Sequence, residues 1–267
     1  MAKINTESRE IYGMKCEPYK SMINESLEKE KNMLALIEKD KTGNAYKRLL
    51  LCDEMIYVST LYMAMNSLSV TLLSTKNNDA LNDARKTLYK AIIYLEDIVT
   101  NVVDAQYSEI EDKVEQIKNT PLSKRYELIR KLGLAIRLLI DAFGENSKWF
   151  WSFVELRGRF ATVAKNILDW KQGTKDYFDS QSPDYDNTVY FIRLIKKLVD
   201  DSAADYRNRY EKSTHRQDDM RLAINYLIAS RRICVIIGNA DEAEEIKKKA
   251  LVWREKMETD RKKGLSK

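Results

Sequence analysis

MIYVSTLYMAMNSLSVTLLST, Met55 to Thr75, runs for twenty-one residues without a charge in a chain that is 33% Asp, Glu, Lys and Arg. On a helical wheel Val58, Leu61, Tyr62, Met65, Leu68 and Leu72 fall on one arc of about 120°, the width of a core-facing stripe. Ser59, Thr60, Asn66, Ser67, Thr71 and Ser74 gather on the other side. A bilayer span needs about 20 predominantly apolar residues. Here eight of the twenty-one are Ser, Thr or Asn, and Asp53 and Glu54 stand immediately before them. The stretch is therefore expected to be a core helix, not a membrane span. Its Ser/Thr/Asn face is expected to be packed shut, with hydroxyls bonded back to helix carbonyls.

The rest of the chain extends that reading. Only eight Gly and three Pro occur in 267 residues, well below the usual ~7% and ~5%. Strand-rich folds need a turn every ~8–12 residues, and the breakers for them are missing. The expected class is all-α with no sheet: about eight mostly long antiparallel helices in an elongated bundle or an irregular array of α-hairpins. One domain, 1–267, is expected, with candidate lobe boundaries near 119–122 and 180–183.

The remaining punctuation places the helix ends. Pro18 suits a first turn, so the first helix is expected from Pro18 to Lys41, stopped by Gly43. The second covers 45–75, and Asn77-Asn78-Asp79 supplies the next corner and cap. A single apolar stripe (Leu81, Ala84, Leu88, Ala91, Ile92, Leu95, Ile98, Val102) predicts a third helix reaching towards Asn119. Thr120-Pro121 opens a fourth, ending near Gly144. A fifth carries the aromatics from Trp149 to Phe178, and Ser182-Pro183 opens a sixth that reaches about Lys212. Met220 to Ile237 and the segment capped by Asn239 form a hairpin closed at Gly238, with Glu242 as reciprocal cap partner. That hairpin is similar to the helix pairs of tetratricopeptide-type solenoids, but no 34-residue period recurs in the chain.

Several chemistries lack their residues. Cys16, Cys52 and Cys234 are odd in number and far apart, which argues against a disulfide framework or a zinc site. Reduced thiols in a cytoplasm are the expected state, and the N-terminus lacks the pattern of a signal peptide. The lone histidine, His215, lies in a polar connection and cannot supply paired Glu-x-x-His motifs. Neither GxxxxGK nor GxGxxG is present. Glu54, Glu96 and Glu155 interrupt apolar helical sequence and are the acids to watch as metal ligands or bases. No cofactor, no metal and no catalytic set is expected.

Two surface readings remain. In the aromatic segment, Phe153, Leu156, Phe160, Val163, Ile167 and Trp170 step along one buried face. Trp149 and Trp151 cannot both share it. With Arg157 and Arg159 they are the expected partner-binding residues, because Trp and Arg are enriched in interface hot spots. The net charge of +5 concentrates in two segments. Residues 245–267 hold nine Lys/Arg against four Asp/Glu, and Lys118–Arg137 holds six against Glu127 alone. The leading expectation is a non-catalytic helical scaffold or adaptor acting by protein–protein interaction or self-association. The alternative is a nucleic-acid-binding helical protein using basic segments 118–137 and 247–267, with Lys124, Arg125, Arg130, Lys131 and Arg137 on phosphates. An amphipathic membrane-surface role for the first of these segments carries less weight than packing of the same apolar face on its neighbours.

Overall fold

The computed structural model describes residues 6–144 and 147–265. They form ten α-helices and one π-helical turn, and no strand occurs among the described residues. The helices are α1 (Thr6–Lys39), α2 (Asn44–Leu73), α3 (Asn78–Glu96), α4 (Tyr107–Glu115) and α5 (Leu122–Phe143). After them come α6 (Phe150–Asn166), α7 (Trp170–Phe178) and α8 (Tyr185–Arg209). The π-helical turn Tyr210–Thr214 leads to α9 (Gln217–Ile236) and α10 (Ala240–Lys262). The protein is all-α. Its helix count exceeds the expected eight because two expected helices each divide.

The first division comes after Glu96. The chain leaves the helix and is held by side chains from far along the sequence. Asn166 Nδ2 donates to the carbonyls of Thr100 and Val102, each at 3.1 Å. Lys165 Nζ donates to the Ala105 carbonyl at 3.2 Å, and Arg232 donates to that of Asp104. These donors satisfy carbonyls that a continuous helix would have satisfied internally. The second division is local. Asp169 accepts from the backbone N–H groups of Lys171 and Gln172 at 3.0 Å, capping α7.

Pro18 lies inside α1, not at its start. A proline in a helix interior removes one hydrogen bond and crowds the carbonyl four residues earlier. Here that residue is Met14, which is exposed, so water can reach the orphaned carbonyl. Pro18→Ala is expected to raise stability by about 1–3 kcal/mol, read as a higher urea midpoint at unchanged m-value. A lower midpoint would show that α1 depends on the proline.

The residues gather into two compact units: Met1–Ile98 with Leu128–Ser147, and Val99–Glu127 with Lys148–Lys267. Thr120-Pro121 and Ser182-Pro183 both fall inside the second unit. In the first, α2 packs against α1 and α3. Leu51, Cys52, Met55, Val58, Leu61 and Met65 are buried, together with Leu81, Leu88, Ile92 and Leu95 of α3. By length and composition α2 is the one helix among the described residues that meets the requirement for a bilayer span.

The polar face of α2 differs from expectation. Ser59 and Asn66 are buried, whereas Thr60, Ser67, Thr71 and Ser74 are exposed. The face is not packed shut. Ser59, Thr60, Ser67 and Thr71 donate to carbonyls three or four residues back at 2.6–3.1 Å, so they carry no charge and yet need no neighbour. Asn66 Oδ1 accepts from the Asn77 N–H at 2.9 Å. Asn77 in turn caps α3 at Ala80 and donates to Tyr12 Oη at 2.7 Å, tying the α2–α3 corner to α1.

In the second unit α8 packs against α6 and α9, and α9 against α10. Gly238 closes α9 at φ 78°, a left-handed position that favours glycine. Asn239 then caps α10 by accepting from the Glu242 N–H at 3.3 Å. Its side-chain amide donates to the Glu242 carboxylate at 2.7 Å.

Candidate functional site

Trp149 and Trp151 are both half-buried at the start of α6. Lys148 lies over the Trp149 ring, and the Trp151 ring meets Phe150 edge to face at 4.9 Å. Phe150, 45% exposed, is the most open aromatic of the three. Arg157 is engaged within the unit, pairing with Asp205 at 2.9 Å. Arg159 is half-buried and also has a partner. Trp149 and Trp151 both lie at the start of α6, but the two arginines are engaged in the protein's own contacts.

The first basic segment divides between the two units. Lys124 pairs with Glu127 at 2.9 Å. Arg125 is buried, and its guanidinium donates to the carbonyls of Thr120, Ile117 and Ile167 at 3.0, 2.8 and 3.3 Å. It closes the end of α4 from the first turn of α5. Arg130, Lys131 and Arg137 are exposed in the first unit, with Lys131 on Asp53 at 3.2 Å and Arg137 beside Asp141 at 3.9 Å. On α10, Lys247 and Lys256 pair with Glu244 and Asp260, each at 3.1 Å. Lys249 lies over the buried Trp253 ring together with Arg207.

The acids singled out by sequence are not the buried ones. Glu155 is exposed, and Glu54 and Glu96 are part-exposed. Glu30, Asp176 and Asp219 are buried instead. Glu30 accepts from Lys90 at 2.9 Å and from the Tyr94 hydroxyl. Asp176 accepts from Gln172 and Ser182 at 3.0 and 2.8 Å. Asp219 accepts from Arg209 and Thr214. Glu30 and Asp219 carry no local mark because their partners come from other helices or from a π-helical turn, whereas the partners of Asp176 are local, in α7 itself and in the connection after it. Among the described residues no group of three His, Cys, Asp or Glu side chains is placed to hold a metal ion. His215 sits at a left-handed turn with its ring near that of Tyr210. All three cysteines are free and buried. Burial pushes the Cys52 thiol well above its usual range and the Cys234 thiol up to about 11.

Two openings in the second unit set cationic residues beside an apolar wall. The first is a cavity of about 420 Å³ between the start of α4, the end of α6, and α9. Lys165, Arg231 and Arg232 supply its charge, and Ile110, Trp170 and Ile236 its apolar wall. The second is a groove of about 120 Å³ between α9 and α10. Ile224, Leu227, Ile228 and Leu251 line it, with Arg231 and Arg254 among its cationic residues. Both arginines are exposed and form no ion pair or hydrogen bond within the described residues. Neither opening was named from sequence. The signal in the sequence is the Arg231-Arg232 pair in the otherwise uncharged stretch Leu222–Ile236 of α9.

The fold and these openings define an all-α protein with a cationic, part-apolar surface on its C-terminal hairpin. Residues 8–261 match the TP0443 family, and the chain belongs to that family. No curated protein and no solved structure matches the chain.

Proposed function

We propose that the protein is a non-catalytic helical adaptor of the cytoplasm, spanning no membrane, that binds a partner protein through the α9–α10 groove. The occupant is an amphipathic segment with acidic residues flanking apolar ones. One observation carries this reading. Arg231 and Arg254 border a floor of Ile224, Leu227, Ile228 and Leu251, and neither arginine is neutralised within the described residues. Helix-in-groove recognition uses this combination: apolar anchors give affinity, and unpaired rim charges set orientation and rate. Leu251, which lines the groove, is itself 50% exposed. The groove favours a protein over nucleic acid because its floor is aliphatic and offers no ring on which a base would stack.

The reading is tested by fluorescence anisotropy with a short amphipathic peptide carrying leucines flanked by glutamates. A version with lysine in place of each glutamate is the control. The acidic peptide is expected to bind and the basic one not to. Equal binding of both, or of neither, would overturn the proposal. A single-stranded oligonucleotide that bound tightly, with affinity falling steeply in salt, would replace it with the nucleic-acid alternative.

A further inference from the structure

The geometry points to a second binding site, which shares only Arg231 with the groove: the cavity between α4, α6 and α9 takes a small molecule with an oxyanion head and an apolar body, held by Lys165, Arg232 and Arg231. Lys165 carries the argument. Its residue is 7% exposed, and its ammonium has one protein acceptor, the Ala105 carbonyl at 3.2 Å. An ammonium has three donors, so two are left without a protein partner, inside a cavity that the side chain lines. Among the described residues it forms no ion pair: Asp104 and Glu109 favour its charged form but lie beyond ion-pair distance, although a buried charge ordinarily has a close counter-ion. Arg232 spends one donor on the Asp104 carbonyl, and Arg231 spends none within the described residues.

The cavity is therefore cationic at one end and lined by Ile110, Trp170, Ile233 and Ile236 elsewhere. Its volume of about 420 Å³ lies within the range of small-molecule sites. Carboxylates and phosphate monoesters share the head-group chemistry that would fill it. Inorganic phosphate alone would leave the apolar wall uncovered.

The site also has a pH signature. Burial, with Arg232 nearby, draws the Lys165 amine down to about 8. The charged groups facing it are Arg232 from α9, Asp104 from the α3–α4 connection and Glu109 from α4. Tyr107, which also lines the cavity, is pushed above its usual range by burial and by its bond to Asp169, away from this window. A bound anion favours the protonated amine, so the complex takes up a proton above about pH 8. Affinity is then greatest below that pH and falls by up to about tenfold per unit above it.

The test is titration calorimetry on the full chain with benzoate, phenyl phosphate and inorganic phosphate as separate ligands, and with benzyl alcohol as the uncharged control. Benzoate or phenyl phosphate is expected to bind, the first identifying a carboxylate site and the second a phosphate-ester site, each more tightly than inorganic phosphate or benzyl alcohol. Lys165→Met is expected to stay folded and to weaken binding by at least about tenfold, the loss of a charge-assisted contact. Arg231→Ala, at an exposed position, serves if that variant does not fold. The wild-type pH profile needs no variant at all. No binding by either organic anion, affinity unchanged in the folded variant, or affinity flat between about pH 7 and about pH 9 would each overturn the inference. Arg254→Glu, which alters the groove but not the cavity, separates this outcome from failure of the adaptor reading.

Discussion

Asp219→Ala is expected to lower the unfolding free energy by about 3–5 kcal/mol, because it leaves a guanidinium that is only 16% exposed without its counter-charge. Asp219 is 3% exposed in the first turn of α9 and accepts from Arg209, the last residue of α8, and from Thr214 of the π-helical turn. Arg209 depends on this bond: its Nε is buried without a partner, and its guanidinium lies 4.7 Å from the centre of the Tyr206 ring. One carboxylate therefore holds the α8–α9 connection, in which His215 adopts a left-handed conformation at φ 50°. Asp219→Asn keeps an acceptor and is expected to lose less. Chemical denaturation of both variants checks this, and an alanine variant within about 1 kcal/mol of wild type would contradict it.

Gly158→Ala is the second large effect, and its sign opposes helix propensity. Alanine in a helix interior normally stabilises by about 1 kcal/mol over glycine. A Cβ at Gly158 would lie 2.6 Å from Tyr206 Cε2 and 2.9 Å from Tyr226 Oη. Those rings are buried and stacked on each other at 5.6 Å, and Tyr226 Oη sits 3.0 Å from Thr162 Oγ1. Neither ring can withdraw without breaking the stack or the hydrogen bond. Overpacking of this kind costs about 1–3 kcal/mol, so the alanine variant is expected to be less stable and the valine variant less stable again. A stabilised alanine variant would show that the α6–α8–α9 contact has slack. The same stack lies under Arg209, so Asp219 and Gly158 variants are expected to be non-additive.

The fold class was legible because it rests on local signals: few breakers, apolar stripes at helical spacing, and caps such as Asn77 and Asn239. What escaped was set by distant partners. The stripe from Leu81 to Val102 reads as one helix, yet Asn166, Lys165 and Arg232 pull the chain out of it after Glu96. Pro18 reads as a start signal because its exposed position, where a missing hydrogen bond is tolerable, is a tertiary property. The uncharged stretch of α2 reads as buried on every side, but serine and threonine can face water and remain satisfied by their own helix.

The candidate sites were harder still. Trp149 and Trp151 were found as a pair, but Arg157 turned to Asp205. Arg125 reads as a surface cation and is a buried cap for three carbonyls. Lys165 lies in an apolar run that predicts burial without revealing whether an acid meets it. That no acid comes within ion-pair distance of it appears only when α4, α6 and α9 are assembled.

A charge-exchange measurement tests the adaptor reading most directly. The Arg231→Glu, Arg254→Glu double variant is titrated with the acidic amphipathic peptide and with its lysine counterpart, beside wild type. The account predicts a swap of preference, with the acidic peptide lost and the basic one gained on the same α9–α10 groove. Retained binding of the acidic peptide, or no gain for the basic one, would contradict it.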